Sequence, residues 1–263
     1  MTILDTIIAQ KKIEVERAKK IKPIYTLENA VYFNRNCNSL SLGLIQGHAN
    51  GIIAEFKRKS PSKGIINGDV LPVEVVQGYA EAGVAAASIL TDKDFFGGSL
   101  DDLIAVRNAL PELPLLRKEF IVDEYQVIEA KASGADLILL IASCLNKNQV
   151  KNLASVARNL DLEVLLELHD ESELDHVVDD INLVGINNRN LKTFAVDIDN
   201  ALRMIEKLGD TYPCIAESGI STPEDILIFR NHGYKGYLIG ENFMKHKNPS
   251  LACSQFIQEL QGL

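Results

Sequence analysis

The chain has 263 residues, 46% of them hydrophobic, and sets 27 Lys and Arg against 36 Asp and Glu for a formal net charge of −9. This length suits one α/β barrel and leaves no room for a second catalytic domain, and the acidic balance argues against nucleic acid as a partner, since such binders present a basic face. Cys37, Cys144, Cys214 and Cys253 show neither metal-ligand nor disulfide-framework spacing, and no apolar run resembles a signal peptide or membrane span, so a cytoplasmic protein with reduced thiols and no membrane partner is expected.

The chain opens with an amphipathic segment, with Ile3, Leu4, Ile7 and Ile8 at helical spacing and then Ile13, Val15 and Ile21. It reads as an extra helix which, with a connecting stretch over 22–51, packs over one end of the domain formed by the rest of the chain. From residue 52 a rhythm sets in, short β-branched runs alternating with amphipathic stretches. Strands are predicted at 52–57, 86–91, 114–120, 136–142, 163–168, 182–187, 213–218 and 236–240. Helices are predicted at 72–82, 100–109, 124–132, 147–160, 171–178, 198–208, 223–231 and 250–261. This alternation is the pattern of βα units and a parallel sheet, and eight repeats predict a single (β/α)8 TIM barrel of the α/β class over 52–263, with a helical extension over 1–51. The punctuation agrees: Ser221-Thr-Pro-Glu224 reads as a capping box, Asp170 and Asn146 as N-caps, and Gly83, Gly134, Gly209 and Gly233 as helix stops.

Buried parallel strands should be almost purely apolar, and here that rule fails at one end. Glu55 and Lys57 occupy alternate positions of the first strand and therefore share a face. The third strand ends in Lys118, the fifth in Glu167, the sixth in Asn187 and the seventh in Glu217. In a (β/α)8 barrel the C-terminal rim is where active sites are built. Charges converging there can tune one another toward useful acid and base strength. Ser218-Gly219 after the seventh strand and Gly240-Glu241 after the eighth fall where many barrels cradle a phosphate with backbone N–H groups. His169, His176 and His232 share no metal spacing and read as core or surface residues, His48 and His246 as solvated, and Cys214 as a small core residue.

These residues belong to longer motifs: Ile53-Ala-Glu-Phe-Lys-Arg-Lys-Ser-Pro-Ser-Lys-Gly64, Leu90-Thr-Asp-Lys-Asp-Phe-Phe-Gly-Gly-Ser99, Leu116-Arg-Lys-Glu-Phe-Ile121, Leu165-Leu-Glu-Leu168, Gly185-Ile-Asn-Asn-Arg-Asn-Leu191 and Ala216-Glu-Ser-Gly-Ile220. In order and strand placement they resemble the indole-3-glycerol phosphate synthases over essentially the whole chain. The resemblance implies a lyase of tryptophan biosynthesis that closes an indole ring with loss of carbon dioxide and water, using neither metal nor cofactor. It implies Lys118 as general acid, Glu167 as base, and Lys57 as a lysine that pairs with substrate anions and shares the proton work. Glu55 and Asn187 would orient the substrate hydroxyl, supported by Glu217. Phe96, Phe120 and Leu139 would hold the aromatic ring, and Ser60, Ser62 and Arg189 polar groups. Ser218, Gly219, Gly240 and Glu241 would seat the phosphate, Glu241 through its main-chain N–H. The implied partner is a small phosphorylated substrate, met by a monomer or weak homo-oligomer. Two positions depart from the family pattern, Phe56 where a smaller aliphatic residue is expected and Asn190 where Asp is common after the Arg. A phosphoribosylanthranilate isomerase would want a Cys or Asp acid/base pair at strand ends, and no cysteine is expected at the rim. A catalytically silent barrel predicts gaps in the Lys57, Lys118 and Glu167 set, and there are none.

Overall fold

A computed structural model describes residues 2–47, 50–189 and 197–263; Asn190 and His48 lie outside the described residues. Eight parallel strands close into a barrel, each hydrogen-bonded to its neighbours in chain order and the last paired with the first. They are β1 Ile52–Phe56, β2 Ala86–Leu90, β3 Leu115–Lys118, β4 Leu137–Ile141, β5 Glu163–Leu168, β6 Leu183–Asn187, β7 Cys214–Glu217 and β8 Gly236–Ile239. Most stop a residue or more before the predicted end, because the chain leaves the ladder at the rim to begin its loops.

The helices are α1 Ile3–Ile21, α2 Ile24–Glu28, α3 Leu40–Gln46, α4 Pro72–Glu81, α5 Leu100–Ala109, α6 Glu124–Ala132, α7 Lys147–Asn159, α8 Ile198–Leu208, α9 Pro223–Asn231, α10 Glu241–Met244 and α11 Pro249–Gln261. The helix expected over 171–178 is instead a 3-10 helix, Glu171–His176, in which nothing is buried. It has almost no apolar stripe to pack on the barrel, so tertiary contact does not extend it into an α-helix. Asp170 and Asn146 cap as expected. The cap ahead of α9 uses Asp225 rather than Glu224: its carboxylate accepts from the backbone N–H of Ser221 at 2.7 Å and of Thr222 at 2.9 Å. The four predicted helix stops all adopt positive φ.

Alternation along each strand separates two cores. Ile53, Leu116, Leu139, Leu165, Leu183 and Ile215 point inward and fill the barrel. Ile52, Ala54, Ile89, Ile138, Val164 and Ile186 point outward against the helices. Phe56 belongs to the outer layer, fully buried, with the Arg58 guanidinium 4.8 Å from its ring centroid; the larger residue is accommodated away from the barrel interior.

The extension reaches both ends of the barrel rather than one. Leu40 and Leu44 of α3 plug the N-terminal end and join the inner core. At the opposite mouth α1 buries Ile7 and Lys11, and a turn further on it buries Val15 against Leu27 and Tyr125, while Ile13 and Ile21 of the expected stripe are exposed. The Lys11 ammonium lies 2.9 Å from Asp92 and 3.0 Å from Glu119, tying α1 to the segments after β2 and β3.

Charges at the plugged end are saturated with partners. Asp136 accepts from Arg35 at 2.6 Å, the Asn38 N–H at 2.7 Å, the Leu115 N–H at 2.8 Å, and Arg107. Glu163, at the start of β5, accepts from the N–H groups of Leu40 at 3.0 Å and Ser41 at 3.1 Å, from the Ser41 hydroxyl at 2.6 Å, and from Ser39. It therefore holds the N-terminus of the plug, where a helix favours negative charge. Glu163→Gln turns an amide toward those donors and is expected to cost about 2 kcal/mol. Urea unfolding should show a lower midpoint with an unchanged slope; an unchanged midpoint would mean that apolar burial alone seats α3.

Candidate active site

The inward parity that carries the core up each strand also carries the polar residues to the mouth. Ile53 is followed on the same face by Glu55 and Lys57, Leu116 by Lys118 and Phe120, Leu165 by Glu167, Leu183 by Gly185 and Asn187, and Ile215 by Glu217. There they line a cavity of about 330 Å³. Each residue picked out in the sequence as a site candidate borders it. Lys57, Phe96, Ser60, Ser62, Leu139, Arg189, Ser218, Gly219, Gly240 and Glu241 all line it, and the pairing of β1 with β8 sets Glu55 beside Gly240. Ile3, Leu4 and Ile7, from the apolar stripe expected to pack over one end, overhang the opening; the sequence had not pointed to Lys245.

At the centre the Lys118 ammonium is 2.7 Å from Glu217 and 3.1 Å from Glu167. The other Glu167 oxygen accepts from the Asn187 amide at 3.1 Å and faces the His169 ring at 3.2 Å. Lys57 pairs with Glu55 at 2.6 Å. Phe96 and Phe120 lie with ring centroids 5.9 Å apart and form an apolar wall beside these charges. Two glycines make room for the carboxylates: a Cβ at Gly185 would fall 2.2 Å from Glu217 Oε1, and one at Gly240 would fall 2.4 Å from Glu55 Oε1. Gly240 thus has a steric reason of its own.

A family model described as indole-3-glycerol phosphate synthase matches residues 4–256. The chain belongs to the indole-3-glycerol phosphate synthase family. An indole-3-glycerol phosphate synthase of Bacteroides thetaiotaomicron is 44% identical over 259 residues, covering 98% of this chain and 99% of that one. One from a Polaromonas species is 45% identical over 258 residues, covering 96% and 97%. Among solved structures the fold is similar to 3-hexulose-6-phosphate synthase from Salmonella typhimurium, with TM-score 0.64, 10% identity and coverage of 81% of this chain and 99% of that one. It is also similar to the tryptophan synthase α subunit of Legionella pneumophila, with TM-score 0.63, 13% identity and coverage of 85% and 97%.

In this synthase-family barrel the turn after β7 is shaped for close approach. Ser218 and Gly219 both take positive φ, 66° and 78°, and the Ser218 carbonyl is braced by the Asn188 amide at 2.9 Å. A non-glycine residue in that region is strained and persists only where its surroundings hold it. The Ser221 N–H is already taken by Asp225. The Glu241 carboxylate faces Lys63 and Arg189, each at 3.7 Å. Among the described residues no group of three or more His, Cys, Asp or Glu is arranged to hold a metal ion.

Cys144 corrects an expectation. It lies three residues beyond β4 and packs against the inner core, nearer the rim than the sequence suggested. Burial, aided by the Glu167 and Glu173 charges, pushes its thiol up to about 12, so it remains a neutral thiol.

Burial by itself would lower the Lys118 ammonium, but the fields of Glu217, Glu167 and Glu55 outweigh it and hold Lys118 above the ordinary lysine value. The two carboxylates that share it are pushed apart. Burial works against the charge of both, yet Lys118, His169 and Asn187 keep Glu167 well below the usual carboxylate range. Glu217 is raised, by burial first and then by the Glu167 charge, against the pull of Lys118. Its Oε1 is buried with no hydrogen-bond partner. Two titratable groups separated in this way are the arrangement from which acid and base roles are drawn.

Lys118→Met would leave two buried carboxylates with no ammonium between them, so one should keep a proton well above the unfolded carboxylate value. The folded variant then binds more protons than its unfolded chain, and its stability should fall as pH rises from 5 to 8 more steeply than the parent's. Urea midpoints across that range test this; parallel pH profiles would mean that Glu167 and Glu217 do not share one electrostatic site.

Proposed function

We propose that this mouth closes the indole ring of 1-(2-carboxyphenylamino)-1-deoxyribulose 5-phosphate, forming indole-3-glycerol phosphate, carbon dioxide and water as a step of tryptophan biosynthesis in the cytoplasm. The observation that carries the reading is Lys118, held between Glu167 and Glu217 at 3.1 and 2.7 Å beside the wall of Phe96 and Phe120. The ring carbon that bears the carboxylate attacks the substrate's carbonyl carbon, and Lys118 gives its proton to the carbonyl oxygen. That oxygen gains charge only as the bond forms, so an ammonium fixed there stabilises the transition state more than the bound substrate. Carbon dioxide then leaves, and its bonding electrons return to the ring and restore aromaticity. Finally the new hydroxyl departs as water with a proton from Lys57, or from Lys118 once solvent has restored the proton it gave to the carbonyl oxygen, while Glu167 removes a proton from the neighbouring carbon to complete the second ring, so that each turnover takes up one proton from solvent.

The remaining residues serve position. Glu55 and Asn187 orient the hydroxyl that is lost, and Glu217 supports Lys118. Phe96, Phe120 and Leu139 press the aromatic ring into near-attack geometry. Ser60, Ser62 and Arg189 hold hydroxyl or carboxylate groups. The main chain at Ser218, Gly219, Gly240 and Glu241 seats the phosphate. The pairing of the Glu241 side chain with Lys63 and Arg189 supports this, because it satisfies a carboxylate that would otherwise repel the anion.

Purified protein mixed with the substrate should develop indole fluorescence, and no signal at micromolar enzyme would leave only a binding role for the barrel. Lys118→Ala should lower kcat by at least about a hundredfold, the usual scale of general acid catalysis, with the far-ultraviolet dichroism of the parent. Turnover equal to the parent's would remove Lys118 from the reaction.

A further inference from the structure

His169 has a place in none of the steps above. It follows Glu167 by two residues and so shares its strand face, and its side chain is 9% exposed. Nε2 stands 3.2 Å from Glu167 Oε1, off the axis of a regular hydrogen bond. On the other side of the ring Nδ1 is 3.2 Å from the Ser143 hydroxyl and 3.8 Å from Glu173 Oε2. Ser143 itself donates to Glu173, whose Oε2 accepts from the His169 backbone N–H at 2.6 Å. The Asn200 amide donates to the His169 carbonyl at 2.9 Å. The turn after β4, the end of β5, the 3-10 helix and α8 thus grip one residue. A ring that only filled space would not need carboxylates at both nitrogens.

We propose that His169 is a positioning residue for ring closure: an imidazolium seated by Glu173 and Ser143, it fixes Oε1 of Glu167 so that Oε2 is presented to Lys118 and the substrate. The inference rests on the reading of Glu167 as the base. The charged groups facing the imidazole are Glu167 from β5 and Glu173 from the 3-10 helix, with Lys118 beyond Glu167; the Cys144 thiol, which feels the same two carboxylates, is neutral. Burial opposes the imidazolium, but the two carboxylates overcome it and the ring is pushed up to about 10. In return the imidazolium helps to keep Glu167 unprotonated. A base so held is weaker but always in its accepting form, and only one of its oxygens is free to turn toward the substrate.

The test compares His169→Asn and Glu173→Gln with the parent in steady-state ring closure from pH 2 to 9, a range that reaches the acid limb of a carboxylate held well below its usual value, with far-ultraviolet dichroism at each pH marking where each protein is folded. The acid limb of kcat requires unprotonated Glu167. Removing the imidazolium raises the affinity of Glu167 for a proton, so that limb should move up by about one pH unit, the scale of one lost opposite charge. At pH 7 kcat should drop about tenfold, the low end for loss of a group that orients a catalytic residue, with KM nearly unchanged. Glu173→Gln keeps the ring but weakens its charge, and should shift the limb in the same direction by less. If His169→Asn does not fold, the Glu173→Gln profile decides. Added imidazole should restore part of the kcat of His169→Gly. An unmoved acid limb, or a kcat at pH 7 equal to the parent's, in every variant that folds would overturn the proposal, and an inactive parent would instead overturn the reading of the site.

Discussion

Everything at this mouth depends on one ammonium between two buried carboxylates. Lys118, Glu167 and Glu217 come from β3, β5 and β7, alternate strands of the closed barrel. Taking these charges out of water costs several kcal/mol for each ion, and mutual attraction in low dielectric repays that only with good geometry and filled hydrogen-bonding capacity. Here repayment is incomplete, because Glu217 keeps a buried oxygen with no partner. Such a trio is poor material for stability. It is good material for chemistry, since proton affinities are already pushed apart before a ligand arrives.

The two ends of the barrel use buried charge in opposite ways. At the plugged end Asp136 and Glu163 each meet four donors and hold the approach to α3 and the helix itself in place. At the open end the carboxylates share a few cations and face a cavity. The apolar layer between, led by Ile53, Leu116, Leu165 and Ile215, keeps the two sets apart. The N-terminal extension belongs to both ends. Its last helix seals the floor with Leu40 and Leu44, and its first overhangs the mouth with Ile3, Leu4 and Ile7 while Lys11 anchors it beside the segments that carry Asp92 and Glu119.

The barrel was legible because its signal is periodic and repeated. Strands buried on both faces read as apolar runs, and charges at their ends stand out against that background, as at Glu55, Lys118, Glu167 and Glu217. Other features left weaker marks. His169 looks like an isolated histidine until the parity that makes Glu167 inward-facing is carried two residues further; that signal was available in the chain, but its meaning depends on Glu173 and Ser143 closing from other elements. Lys11 is hidden by its company, because a lysine in a charged amphipathic stretch reads as solvated. Only the approach of the segments after β2 and β3 makes it a buried anchor. The segment Glu171–His176 misled for the opposite reason, polar composition with helical length but no face to bury.

Strand order, inward parity and the set of charged residues at the rim follow from the chain alone, because alternation and apolar runs are local properties written in neighbouring residues. Tertiary structure decided which charges meet. Glu217 rather than Glu55 shares Lys118, a histidine stands behind Glu167, and the extension plugs one end of the barrel and overhangs the other. Those outcomes turn on the closure of the barrel and on distances of about 3 Å between residues as far apart in the chain as Leu40 and Glu163, which no local pattern encodes.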